Sequence, residues 1–161
     1  MATSTRAISS EGRVRRMNDR HLYRAKRKDS GEWIVGYYVI GLDMYEKEVH
    51  MIFEPTTIFY SHGETDGFVD VDPSTICQCT GLKDKNGKLI WENDICRRIL
   101  FPTKRIKTIF RIAYVPYKCC LSAIDLDGSN VTFLSDYINN QYEVEVIGNI
   151  FDNPELLEVG E

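Results

Sequence analysis

Short runs of alternating apolar and polar residues, each cut off by a turn signal, set the pattern of this chain and predict strands. His21–Lys26 and Trp33–Gly41 flank the turn Lys28-Asp29-Ser30-Gly31 as a first hairpin. Val49–Glu54 reads as a strand stopped by Pro55, and Tyr60 to Gly67 as an exposed polar loop. Phe68–Val71 and Ile76–Thr80 follow, with Asp72-Pro73 between them. Two apolar runs then surround Asn86-Gly87, which supplies the φ > 0 pair of a tight hairpin turn. Asp94–Leu100 leads into Pro102, which should end it. Ile106–Val115 and Lys118–Asp125 pair across Pro116-Tyr117, and Val131–Leu134 closes a turn at Asp127-Gly128. Ser135–Asn140 is a candidate helical turn. Tyr142–Phe151 alternates cleanly, with Tyr142, Val144, Val146 and Ile150 inward. Asn153-Pro154 pairs an N-cap with proline at the first helical position, opening a short helix over Leu156 and Leu157.

The expected fold is therefore all-β: a small barrel or sandwich of about ten short strands with one or two short helical turns, since such a sheet must hide its edges. The chain has 161 residues and is 43% hydrophobic, enough for one core or two subdomains sharing one. Nine Tyr, seven Phe and two Trp favour strands over helices. No apolar run approaches the roughly 20 residues a membrane helix needs. The first 16 residues are basic but lack the apolar stretch of a signal peptide, so a cytoplasmic location is expected.

Charge is unevenly placed. Residues 1–28 hold nine basic and two acidic side chains, a net of +7, so the remainder carries −11 of the overall −4. Arg13, Arg15, Arg16, Arg20, Arg24, Lys26, Arg27 and Lys28 are thus candidates for gripping phosphates or a protein partner. The same run reads equally as a solvated arm, and the acidic remainder repels a phosphate backbone. Nucleic acid is the less favoured partner.

Five cysteines (Cys77, Cys79, Cys96, Cys119 and Cys120) without a secretory signal do not suggest a disulfide framework. In a strand Cys77 and Cys79 would lie about 7 Å apart on one side, and Cys119-Cys120 would face opposite sides. Neither spacing is a zinc knuckle. Buried, reduced core thiols are expected, with no metal and no cofactor.

Other chemistry is weak. Gly81 to Lys88 has five residues between its glycines, and Leu89 stands where a phosphate loop needs Ser or Thr. Asp125, Asp127, Ser129 and Asp136 match calcium-loop positions 1, 3, 5 and 12, but Gly128 falls at 4 rather than 6, so a hairpin turn is favoured. Glu92 with Asp94, and Glu143 with Glu145, are carboxylate pairs at strand spacing, each read as one wet face rather than an acid–base dyad. His21, His50 and His62 are scattered. An enzyme would need a site assembled from distant residues.

The stretch Thr80-Gly-Leu-Lys-Asp-Lys-Asn-Gly-Lys-Leu-Ile-Trp-Glu-Asn-Asp-Ile-Cys96 resembles the core motif of the YopX family of phage and prophage proteins. Three further segments resemble it in the right order: His21 to Gly36 as the opening, Asp72 to Gly81 as the lead-in, and Val146 to Leu157 as the closing strand and cap. The pattern begins after Met1 to Arg16, so residues 1–17 are expected to be a mobile extension and 18–161 a single β domain, with subdomains meeting near 72–80 if there are two. The central arrangement of strand, Asn-Gly, strand and Trp-Glu-Asn-Asp-Ile resembles small SH3-like barrels, and Gly81, Asn86, Gly87, Trp91, Glu92, Asn93, Asp94, Gly148, Asn153 and Pro154 are read as a structural signature. Asn93 is expected at φ > 0, where family members often carry Gly. The family resemblance implies no established activity. The expected role is an accessory protein of a phage or prophage that binds a host or phage macromolecule, with homo-oligomers possible. The alternative is an enzyme or nucleotide-processing protein.

Overall fold

The computed structural model describes residues 19–54, 67–100, 103–138 and 142–158. Strands dominate them: β1 (Tyr23–Lys26), β2 (Trp33–Leu42), β3 (Glu48–Phe53), β4 (Phe68–Asp70), β5 (Cys77–Lys83), β6 (Leu89–Trp91), β7 (Asp94–Leu100), β8 (Arg105–Val115), β9 (Cys120–Asp125), β10 (Val131–Phe133) and β11 (Tyr142–Asn149). One α-helical turn, α1 (Leu134–Tyr137), and 3-10 turns at Asp19–His21, Pro73–Thr75, Pro116–Lys118 and Pro154–Leu157 complete them. The strands form two antiparallel sheets, in the orders β4-β3-β2-β1-β5-β6 and β10-β9-β8-β7-β11. The all-β expectation holds. No helix among the described residues is long and apolar enough to cross a membrane.

The first sheet curls back on itself. Past β4 the chain reaches Val71, which bridges Arg27 just beyond β1. Lys28 N–H donates to the Asp70 carbonyl at 3.0 Å and Asp72 N–H to the Lys26 carbonyl at 2.8 Å. The edge strand β4 thereby meets β1, and the interior fills with Ala25, Ile34, Ile52 and Val71. The second sheet buries Cys96, Phe110, Ile112, Ala123 and Val144, with Ile90, Leu134 and Tyr137 packed on them. Cys77, Cys79 and Trp91 form a third buried cluster, against Leu22, Trp33 and Phe151.

Local differences from the sequence expectation have physical reasons. His21 sits in a 3-10 turn rather than in the first strand. The residues Pro116–Lys118 form another, so β9 starts at Cys120 instead of Lys118. In the turn of the central hairpin Gly87 has positive φ, at 81°, and Asn86 does not. Asp84 N–H bonds the Lys88 carbonyl and Gly87 N–H bonds the Asp84 carbonyl. That is a three-residue loop with a left-handed third residue, not the two-residue primed turn expected from Asn86-Gly87. The helical turn covers Leu134–Tyr137, starting one residue before the expected Ser135, and Leu134 and Tyr137 are its buried residues; the Asn139-Asn140 end of the expected turn lies outside the described residues. β11 carries a register shift between Val146 and Gly148, so the alternation that placed Tyr142, Val144, Val146 and Ile150 inward breaks there. Val144 is buried, and the other three are half-buried. Asn153 does not cap the last turn with its side chain. Its Oδ1 instead lies 3.4 Å from Asn149 N–H. The expectations for Pro55, for most of the Tyr60–Gly67 loop, for Pro102 and for residues 1–18 lie outside the described residues.

Candidate functional site where the signature segments meet

β1 alternates. Ala25 points into the first core, and its neighbours Arg24 and Lys26 share the opposite face. Trp33 opens β2 directly across from Lys26, and Trp91 ends β6. The chain then turns through Glu92-Asn93, with Asn93 at φ 64°, and Asp94 opens β7. Asn93 ties this turn to two other elements. Its N–H donates to the Ile112 carbonyl at 2.8 Å, and its carbonyl accepts from Ile150 N–H at 3.1 Å.

Asp94 is 1% exposed. One carboxylate oxygen accepts from Arg24 Nη2 at 2.6 Å, and the other from Trp91 N–H at 2.8 Å. The guanidinium lies 4.7 Å from the Trp33 ring centre and 5.5 Å from that of Trp91, on two aromatic faces. Burial pushes the Asp94 carboxyl above the usual range, and the Arg24 charge only partly offsets it. Arg24 Nε is buried and has no partner among the described residues. Such a pair costs desolvation energy that its own attraction scarcely offsets, and it joins β1 to β7 across 70 positions of the chain.

A second carboxylate, Asp152, holds the indole N–H of Trp33. Asp152 Oδ1 contacts Lys26 Nζ at 2.6 Å, while Oδ2 accepts from Trp33 Nε1 at 2.7 Å and Asn149 Nδ2 at 2.8 Å. Burial pushes this carboxyl up, but those three donors outweigh it and hold it down at about 2. Gly148 is required just before. A Cβ there would stand 2.5 Å from Asn153 Oδ1, closer than atoms tolerate. Asp84 does similar work for the central loop. It accepts from Asn86 N–H and Lys88 N–H, and from Val146 N–H of β11 at 3.3 Å. The opening, central and closing segments thus converge on two carboxylates, two cations and two indoles, with charge matched by charge.

The residues read from sequence fall into distinct places. Gly81 and Gly87 take positive φ; Trp91, Asn93, Asp94 and Asn153 lie in or beside the network; Asn86 and Pro154 shape turns. Glu92 and Asp94 do not share a wet face, because the positive φ of Asn93 breaks the alternation between them. Asp94 is inward, while the oxygens of Glu92 lie 3.5 Å from Gln78 N–H and 3.4 Å from Tyr114 N–H. Glu143 pairs with Lys104, and Glu145 with Arg97 and Lys85. The basic run is split by strand alternation and pairing. Arg24 and Lys26 turn toward Asp94 and Asp152, and Arg27 makes two bonds to Asp29 at the surface. Arg20 sits in the first 3-10 turn against Gly81, and Lys28 follows β1. Arg13, Arg15 and Arg16 lie outside the described residues.

Cys77, Cys79 and Cys96 are buried thiols, and burial pushes all three up. Cys119 and Cys120 depart from the buried-thiol expectation. Cys119 is exposed at φ 53° where the 3-10 turn ends, and Cys120 is half-buried. Among the described residues no three His, Cys, Asp or Glu side chains gather as a metal site would need. Asp152, Asn149 and Asp84 were missed by sequence reasoning. Asp84 had a local signal, an Asp opening a turn. Asp152 had none, since Trp33 lies 119 positions away.

Comparison with known families agrees with this convergence: the family model described as YopX protein matches residues 22–158. The chain belongs to the YopX family. The match opens at Leu22, next to β1, and closes at Glu158, just past the last 3-10 turn, so it spans every segment of the network. A comparison with curated proteins finds no match. Within Thr80–Cys96, Asp84, Ile90, Trp91, Asp94, Ile95 and Cys96 are buried, while Gly81–Lys83 and Lys85–Lys88 are exposed.

Proposed function

We propose that this YopX-family chain is an accessory protein encoded by a phage or prophage. It acts in the bacterial cytoplasm as a non-enzymatic binding module for a host or phage protein. The observation that carries the reading is a group of exposed aromatics at one end of the second sheet. Tyr114 is the last residue but one of β8, Tyr117 lies in the 3-10 turn that follows, and Phe133 ends β10; they are 52%, 75% and 48% exposed. Lys118 Nζ stands 4.6 Å from the centre of the Phe133 ring and donates to the Val131 carbonyl. Phe133 against Lys118, with the exposed Tyr117 next to that lysine in the chain, has the make-up of a protein-binding patch, where rings bury area at little entropic cost, and Tyr114 lies on the opposite face of the sheet from Phe133. The ionisable groups of the signature offer a substrate little by comparison. Arg24 with Asp94 and Lys26 with Asp152 are paired with each other, and a general acid or base must reach the proton it moves.

The test is affinity capture from a bacterial host with wild type, Tyr117→Ala and Phe133→Ala, each with and without nuclease. Capture of one protein that both substitutions abolish and nuclease leaves intact supports the reading. Capture that persists in both variants, or disappears with nuclease, overturns it.

A further inference from the structure

The hairpin of β2 and β3 is longer than the sheet that holds it. β2 spans ten residues, but β1 pairs only with Trp33 to Gly36. From Tyr37 to Leu42 its only strand partner among the described residues is β3. β3 in turn is covered by β4 at Met51–Phe53, and its His50 carbonyl accepts from Val71 N–H. Among the described residues the outer half of the hairpin is therefore a two-stranded arm, and its tip exposes Ile40, Leu42, Met44 and Tyr45 at 55%, 69%, 86% and 81%. Two strands alone are marginally stable in water.

The register shows which groups on that arm are unused. Asp43 N–H bonds the Lys47 carbonyl, so the odd residues Asp43, Gly41 and Val39 direct their backbone groups toward β3. Ile40 and Leu42 direct theirs away from it, and no described residue bonds them. Natural edge strands are blunted by charge, proline or a bulge. Here all ten residues of β2, Trp33-Ile-Val-Gly-Tyr-Tyr-Val-Ile-Gly-Leu42, are uncharged, and its pairing with β3 runs without a register shift. An edge of this kind is built to be covered.

We propose that the outer edge of β2 is covered by the same edge of a second copy of this chain, paired antiparallel about a two-fold axis at Ile40. Identical strands meet in an isologous contact only if no like charges face each other, and the uncharged segment satisfies that condition. β3, with Glu48 and His50, does not. In this register Ile40 faces Ile40 of the second copy, and Tyr38 faces its Leu42. One apolar strip then runs across both arms, and the outward amide and carbonyl groups of Ile40 and Leu42 find partners. The acidic remainder of the chain, at −11 beyond residue 28, makes an uncharged edge the favourable place for two copies to meet. This contact lies on the first sheet and does not depend on the aromatic end of the second.

Sedimentation velocity at tens of micromolar tests it, comparing wild type with Ile40→Lys and Leu42→Lys, the device edges use against pairing. Both positions are exposed, and circular dichroism with a melting curve verifies that each variant stays folded. A third variant, Ile40→Pro, removes the outward N–H without touching a bond between β2 and β3. The expected result is a wild-type mass about twice the 18.6 kDa of the chain, falling to the single-chain mass in folded Lys variants and in folded Ile40→Pro. A Phe133→Lys control keeps the doubled mass. A wild type that sediments as one chain, or an assembly that survives in the folded Lys variants, overturns the proposal.

Discussion

Arg24 carries the physical lesson at the scale of a residue. In sequence it is one cation among nine in the first 28 residues, and a cation in such a run is usually solvated. The fold instead places it between two indoles and against a carboxylate that is 1% exposed. Removing one partner of a buried pair leaves the other charge stranded, at a cost of about 3–5 kcal/mol. Asp94→Ala is therefore expected to lower the melting temperature steeply. The double change Arg24→Met with Asp94→Leu is expected to recover most of the loss, because no charge then stays buried. Thermal melts of the three proteins check this, and a double variant as unstable as Asp94→Ala would reject it. Asp152 gives the pH counterpart. Its folded pKa of about 2 lies below the ordinary 3.8, so its contribution is fully present above about pH 3.8 and is lost as pH falls through about 2. The melting-temperature gap between wild type and Asp152→Asn is expected to close across that window. A gap that stays constant would assign the stability to other groups.

At the scale of elements, much was legible. The hairpins, the strand order within them and the Asp-Gly turn before β10 follow from alternation and turn chemistry, and the left-handed Asn93 was expected from the family resemblance. Those are local rules, and they act within a few residues. The central turn shows where local reading stops. Asn-Gly fits both a two-residue primed turn and a three-residue loop, and Asp84 decides between them by accepting two loop amides and one from β11. Gly87 is still the residue the loop cannot replace. Nothing lies within 4 Å of a Cβ built there, so the penalty for Gly87→Val is backbone strain alone, at φ 81°. We expect a loss on the order of 1–3 kcal/mol, read from denaturant melts. An unchanged midpoint would mean that the loop readily adopts another conformation. The register shift in β11 had no comparable local signal, because Gly148 is set by a clash with Asn153 that only the folded chain creates.

For the whole molecule, the sequence showed the four signature segments but not that they meet. Lys26 and Asp152 are 126 positions apart, and no periodicity connects them. The charge asymmetry was legible, yet its use was not, since pairing decides which cations remain for a partner. Arg24 and Lys26 face carboxylates, and Arg27 makes two bonds to Asp29. The phosphate-binding capacity of the basic run is smaller than its count of charges suggests, and the acidic remainder opposes any polyanion. A fluorescence titration with labelled duplex and single-stranded DNA is therefore expected to show little binding near physiological ionic strength, about 0.15 M, where exposed charges more than about 8 Å apart are screened. Deleting residues 1–16 is expected to leave stability unchanged and to remove whatever weak, salt-sensitive binding there is. Each phosphate contact releases a counterion, so true binding by Arg13, Arg15, Arg16 and Arg20 must weaken steeply with added salt. Sub-micromolar affinity with that slope would make nucleic acid the partner and move the functional surface from the aromatic end of the second sheet to the start of the chain.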